Sequence, residues 1–214
     1  MKKACTVFSL LIISGIMNAQ QSSVNITGTY FLHGVMETAS VIELNIDSTF
    51  RFFYSYGAVD RYGSGKWSSI NHYIILNSRQ RPAADFKLIE SKTVPDSTIT
   101  IQIVENNKML LHYVECMIST KSGTHEATTN SDGMASFTKE SIDSIALIFR
   151  LCPDRYSVFK PGNKDLNFFR FGFEPWIAEV FFDHLTFKFD DNTLTGPHPL
   201  IKGENFKYSK EKQK

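Results

Sequence analysis

"VIELNIDSTFRFFYSYG", residues 41–57, is the stretch that decides how the rest of the chain is read. Ile42, Leu44 and Ile46 fall on one face of an extended chain, and Phe50, Phe52, Tyr54 and Tyr56 fall on one face of the next segment. Successive side chains of a strand point to opposite sides, so apolar residues at a period of two mark a half-buried strand. A helix would repeat them at three and four. Asp47–Thr49 separates the two runs with small polar residues that favour a tight turn. The sequence therefore predicts two antiparallel strands sharing an apolar face.

The same alternation continues outward. "GSGKW" (63–67) predicts a second turn leading into a strand at Trp67, and "HYIILN" (72–77) a further segment. "TITIQIV" (98–104) aligns Ile99, Ile101 and Ile103, while "MLLHYVECMIST" (109–120) and "SIALIFRL" (144–151) read as buried strands. Phe169, Phe171 and Phe173 share a face, as do Phe181, Leu185, Phe187 and Phe189. Most of the 18 Phe occupy such positions, which suits pleated, half-buried surfaces. Short strands at intervals of about 8–12 residues predict a sandwich or barrel. The expected fold is all-β, with a small half-barrel at 24–92 followed by an antiparallel sandwich at 96–210. The boundary is placed at "ESKTVPDST" (90–98), where Pro95 sits among polar residues. One continuous β domain is the alternative, because 24–92 alone has a thin core. "RYSVFKPGNKDLN" (155–167) reads as a long loop.

The N-terminus predicts the compartment. Lys2 and Lys3 precede an apolar run from Thr6 to Met17, and Ala19 supplies a small residue before Gln20. This is the pattern of a secretory signal peptide over residues 1–19, too short for a membrane-spanning helix of about 20 residues. Cys5 lies before the apolar run, so it cannot be a lipid-bearing lipoprotein Cys. The expectation is an exported periplasmic or extracellular protein with no transmembrane anchor after cleavage. The chain carries 23 basic and 22 acidic residues, without a basic stripe, which argues against a nucleic-acid partner. The end, "KYSKEKQK" (207–214), reads as a solvated, frayed tail. Cys116 and Cys152 remain, and they suit a disulfide in an oxidising compartment or two buried thiols equally.

"TTNSDGMASF" (128–137) is the stretch most like a site. With Gly133 at position 6 of a calcium loop, Asn130 and Asp132 fit positions 3 and 5, but Thr128 and Lys139 occupy positions 1 and 12. A cation at position 12 replaces the clamping carboxylate, so Asp132-Gly133 predicts a turn.

Two segments carry family resemblances. Gly28, Tyr30, Leu44, Asp47, Phe50, Gly65 and Trp67 occur in the order found in lipocalin-like domains of bacterial envelope proteins, which the N-terminal half resembles. Thr129, Asp132, Gly133, Ala135 and Phe137, followed by "SIDSIALIF" (141–149), resemble transthyretin-like, carboxypeptidase-regulatory-like β-sandwich domains. That second resemblance implies a non-catalytic spacer or adhesion module. The leader and its "NAQ" boundary (18–20) resemble those of exported proteins of the Bacteroidetes type.

Catalytic patterns are weaker. The six His show no zinc spacing, although His125-Glu126 and Asp183-His184 could in principle meet in space. Gly63-Ser64-Gly65 is not a nucleophile elbow, and Cys152, before Pro153, could be a nucleophile only with a basic partner that the sequence does not identify. Asp190-Asp191-Asn192 reads as a turn, although a glycosidase would need paired carboxylates about 5–9.5 Å apart. "NFFRFGFEPWIAEVFF" (167–182) predicts core, with Trp176 beside Pro175 as the aromatic most exposed. No catalytic, cofactor-binding or metal-binding residue is assigned. The expected function is an exported, non-enzymatic binding or structural module whose partner is an unknown protein, glycan or small apolar ligand. The alternatives are a lipocalin-like carrier of a small apolar ligand, or a glycan hydrolase.

Overall fold

The computed structural model describes residues 25–211, so the leader read at 1–19 lies outside the described residues. The chain begins as a meander of five antiparallel strands: β1 (Gly28–His33), β2 (Thr38–Leu44), β3 (Thr49–Tyr56), β4 (Val59–Ile70) and β5 (Tyr73–Asn77). Eight further strands follow: β6 (Phe86–Lys92), β7 (Thr98–Val104), β8 (Val114–Thr120), β9 (Gly123–Thr128), β10 (Met134–Thr138), β11 (Ile142–Phe149), β12 (Ser157–Phe159) and β13 (Phe168–Phe173). The chain then returns through β14 (Leu185–Asp190), β15 (Thr193–Gly196) and β16 (Phe206–Lys210).

The first five and last three strands form one closed barrel, in the order β1-β16-β15-β14-β5-β4-β3-β2. Read from β1 through β5 and on to β14, this is an up-and-down barrel with an insertion after its fifth strand. The insertion leaves and re-enters at adjacent strands, since Leu76 of β5 faces Leu185 of β14. Closure is completed where Tyr30 on β1 faces Lys210 on β16. Of the six strands within 24–92, the first five are only part of a barrel whose remainder comes from beyond residue 184, and the sixth, β6, belongs to the inserted unit. The sheets accordingly do not divide at Pro95, because strands after it serve both units. "KYSKEKQK" is corrected in the same way: Lys207–Lys210 belong to β16, and Tyr208 is fully buried. A closed barrel leaves no free edge, so the last strand is held along both sides.

The inserted unit stacks sheet β10-β7-β13-β6 on sheet β12-β11-β8-β9. All pairings are antiparallel except β13 with β7. Its core joins Ile99, Ile101, Ile103 and Phe171 of the first sheet to Ile118 and Ile145 of the second. Residues 109–113, read as strand, belong to a 3₁₀ turn (Lys108–Tyr113) that Asn107 caps by accepting from the Met109 amide. The Asp132-Gly133 turn lies where expected, with Gly133 at φ 77°. It joins β9 to β10 in different sheets, so it is a crossing between layers rather than a hairpin. A Cβ on Gly133 would lie 2.4 Å from the Ile103 carbonyl oxygen.

"GSGKW" is not a turn. Gly63 and Gly65 lie inside the 12-residue strand β4. They are needed for close approach: a Cβ on Gly65 would sit 2.0 Å from the Asn77 carbonyl oxygen. On Gly63 it would sit 2.6 Å from the Phe182 ring. Residues 178–182 run along this part of β4, with the Val180 amide donating to Tyr62 O at 2.7 Å. Phe182 thereby reaches the barrel interior, edge-on to Phe50 and Phe52.

Candidate functional site

The barrel interior is occupied by aromatic side chains. Tyr30, Phe50, Phe52, Phe187, Phe189 and Tyr208 are each at most 4% exposed. Eight strands give a lumen that side chains can just fill, or that can hold one small ligand. Here Phe187 meets Tyr208 edge to face, and Tyr30 meets Phe189 in the same way.

At one mouth of the barrel, the connection 197–205 between β15 and β16 places His198 against β2, β3 and β16. The ring is 5% exposed, and Phe52, Tyr54, Phe206 and Tyr208 surround it. Its Nδ1 accepts from the Leu200 amide at 3.0 Å. The neutral ring therefore carries its proton on Nε2, 3.2 Å from Ser40 Oγ. Ser40 in turn donates to Phe53 O at 3.2 Å and lies 3.1 Å from the Tyr208 hydroxyl. A serine beside a histidine invites comparison with a nucleophile and its base. The protons run the wrong way for that chemistry. A base must accept from the serine hydroxyl, whereas His198 donates to Ser40 and has its other nitrogen engaged. Burial lowers the His198 pKa to about 4, and burial raises that of Tyr208 against the opposing effect of its hydrogen bond with Ser40.

A second polar cluster joins barrel to sandwich. Arg61 on β4 is 3% exposed, and its guanidinium grips both oxygens of Asp154, at 2.8 and 3.3 Å, while Nε donates to Ala178 O. Arg155 donates to the carbonyls of Glu179, Ile177 and Trp176 at 2.7, 2.7 and 3.2 Å. Its Nε lies 3.0 Å from Asp85 Oδ2, but misaligned, so Nε and Asp85 Oδ1 have no hydrogen-bond partner. Arg79 closes the cluster on Glu179 at 2.7 Å. Burial pushes the Asp85 carboxyl up, opposed by Arg155. Burial also pushes Asp154 up, but the Arg61 hydrogen bonds and charge outweigh it and leave the carboxyl below its usual range. Trp176 belongs to this joint: it is half-buried, and its indole N–H donates to Ala84 O at 2.9 Å. Ser157 and Arg155, inside the stretch read as a loop, are buried here too.

A third feature is an outward-facing row across four adjacent barrel strands. Phe31 faces Val41, Val41 faces Phe53, and Phe53 faces Tyr62. Phe31, Phe53 and Tyr62 are 36, 43 and 46% exposed. Glu43 and Arg51 pair on one flank at 3.8 Å.

The remaining sequence candidates stay apart. His125 lies 3.1 Å from Ser122 Oγ, which donates to Glu140 at 2.6 Å. His184 contacts its neighbour Asp183 at 2.7 Å on the exposed surface. Among the described residues, no three His, Cys, Asp or Glu side chains gather as metal ligands. Asp191 and Asn192 form a turn at φ 42° and 58°. Cys116 and Cys152 are separate buried thiols. The mouth and the joint were missed because each assembles residues from both ends of the chain; the pairing of Ser40 with His198 spans 158 positions. No family model, curated protein or solved structure matches this chain.

Proposed function

We propose that this chain is an exported, non-catalytic envelope module that binds through the outside of its barrel. The observation that carries this reading is the aromatic filling of the lumen beside the exposed row of Phe31, Phe53 and Tyr62. With the interior taken by its own rings, the barrel offers contact area on its outer face. Apolar patches rimmed by charge are a usual form of protein or glycan contact surface. The orientation of the Ser40–His198 hydrogen bond supports the non-catalytic part. The ion pair of Arg61 with Asp154 supports a spacer role, since it ties a barrel strand to the inserted unit.

The test uses protein exported from a bacterial host. Native mass spectrometry should give the bare polypeptide, and ester and glycoside panels should show no turnover that Ser40→Ala abolishes. Wild type should co-sediment with isolated envelope material, and the Phe31→Ser/Phe53→Ser variant should lose that binding at unchanged Tm. A ligand mass retained in the native spectrum, or turnover lost in Ser40→Ala, overturns the reading.

A further inference from the structure

His198 is the one described histidine that is buried, and nothing in the surface-binding reading uses it. Pro197 and Pro199 flank it, and each fixes its own φ, so the ring is presented from a stiff segment. The segment reaches barrel strands through that ring on Ser40 and through Leu200 on the barrel core. Both ring nitrogens are committed, one as donor and one as acceptor. A second proton could enter only at Nδ1, where it would point at the Leu200 N–H. Two donors would then face each other inside a ring of Phe52, Tyr54, Phe206 and Tyr208.

The geometry points to His198 as an acid-released latch that holds the 197–205 connection as a cap over an aromatic barrel mouth. The imidazolium cannot keep the Leu200 contact and has no anion to pair with, so it leaves for water and takes the connection with it. The groups facing the ring are Ser40 from β2, Phe52 and Tyr54 from β3, and Phe206 and Tyr208 from β16, with Leu200 from its own segment. Of these only the two tyrosines titrate, and burial holds both above the usual tyrosine range. They are therefore neutral wherever His198 titrates. Lys202 and Glu204, on the same connection, are exposed to solvent. Burial alone depresses His198, to about 4, so no neighbouring charge sets the response. The sign follows: the open state binds the proton at the ordinary histidine pKa, so opening is favoured as pH falls from about 6.5 toward 4. Release uncovers Phe52, Tyr54, Phe206 and Tyr208 with the Ser40 hydroxyl among them, a surface closed at neutral pH.

The test is amide hydrogen exchange of the full chain, expressed as protection factors so that the intrinsic pH dependence of exchange cancels. In the wild type, residues 197–206 should lose about a hundredfold of protection between pH 7 and pH 4, while β8 and β11 keep theirs. His198→Phe fills the same ring of aromatics without a titrating nitrogen and should remove that pH dependence. The inference is overturned if the segment keeps its protection, if His198→Phe loses it equally, or if β8 and β11 open together with it. Nitrogen-correlated NMR of the wild-type ring gives a check independent of any variant's folding. It should report the Nε2–H tautomer at pH 7 and double protonation only as pH approaches about 4, the lower end of the span in which protection falls. An Nδ1–H ring, or a ring that titrates at the ordinary histidine value of about 6.5 while its segment stays protected, sinks the proposal. None of these readouts involves envelope binding, so either reading can fail while the other stands.

Discussion

At Gly65 the absence of a side chain is a requirement of packing. An added Cβ meets the Asn77 carbonyl oxygen at 2.0 Å, and backbone cannot swing aside as a side-chain tip can. Gly65→Ala should cost about 3 kcal/mol or more by urea unfolding. Gly162→Ala, which meets nothing within 4 Å, should be close to neutral. In sequence the two glycines of "GSGKW" looked like turn residues, because glycine is ambiguous between left-handed backbone and close approach. Only the position of β5 and of residues 178–182 separates the two. The cysteines behave similarly. Burial raises the Cys116 thiol to about 12 and the Cys152 thiol to about 11. Neither should react with a disulfide reagent at pH 8 until the protein is unfolded, and the intact mass should lack the 2 Da deficit (about two hydrogens) of a disulfide. A native-state reaction at the rate of a free thiol would refute the burial of both.

Among the elements, the hairpins record where local chemistry and tertiary demand agree. Asn71-His72 and Asp191-Asn192 both adopt positive φ at two successive residues, the twist that two-residue hairpins favour. Three of the four are Asn or Asp, which tolerate that region; His72, at φ 68°, is the exception. His72→Gly should therefore stabilise the protein by about 1 kcal/mol, measured as a rise in Tm of about 2–4 °C. The second turn was legible in "FDDN" (189–192) for that reason. Strands with clean alternation, β3 and β7 above all, were legible because Phe50 and Phe52, and Ile99, Ile101 and Ile103, fall on buried faces, although Tyr56 at the end of β3 is exposed. Ile46 shows where alternation misleads: it continues the pattern of Ile42 and Leu44, yet is 90% exposed because β2 has ended. Phe206–Lys210 failed the same reading in reverse. Its charged outward positions look like a tail until β1 and β15 supply partners.

For the whole molecule, the insertion after β5 makes the joint decisive. Arg61 is buried and paired with Asp154 across the two units, so removing the partner strands a charge away from water. Asp154→Asn should destabilise more than Arg61→Met, which removes the buried charge together with its solvation cost. The difference should be about 2 kcal/mol. Wild type should melt in one calorimetric transition, whereas Arg61→Met combined with Arg155→Met should separate barrel and sandwich into two. A single transition in the double variant would mean that the strand connections alone couple the units.

The sequence by itself determined the all-β class, most core aromatics and the turns at Asp132-Gly133 and Asp191-Asn192. Each of those follows from side-chain alternation or from backbone preferences within a few residues. Only the tertiary structure decided that the barrel closes, that its last three strands come from the far end of the chain, and that the sandwich is an insertion. It alone brought Ser40 to His198, and Arg61 to Asp154. Strand partnership is set by which faces and edges must be covered, and a period-two pattern specifies a face without naming the strand beside it.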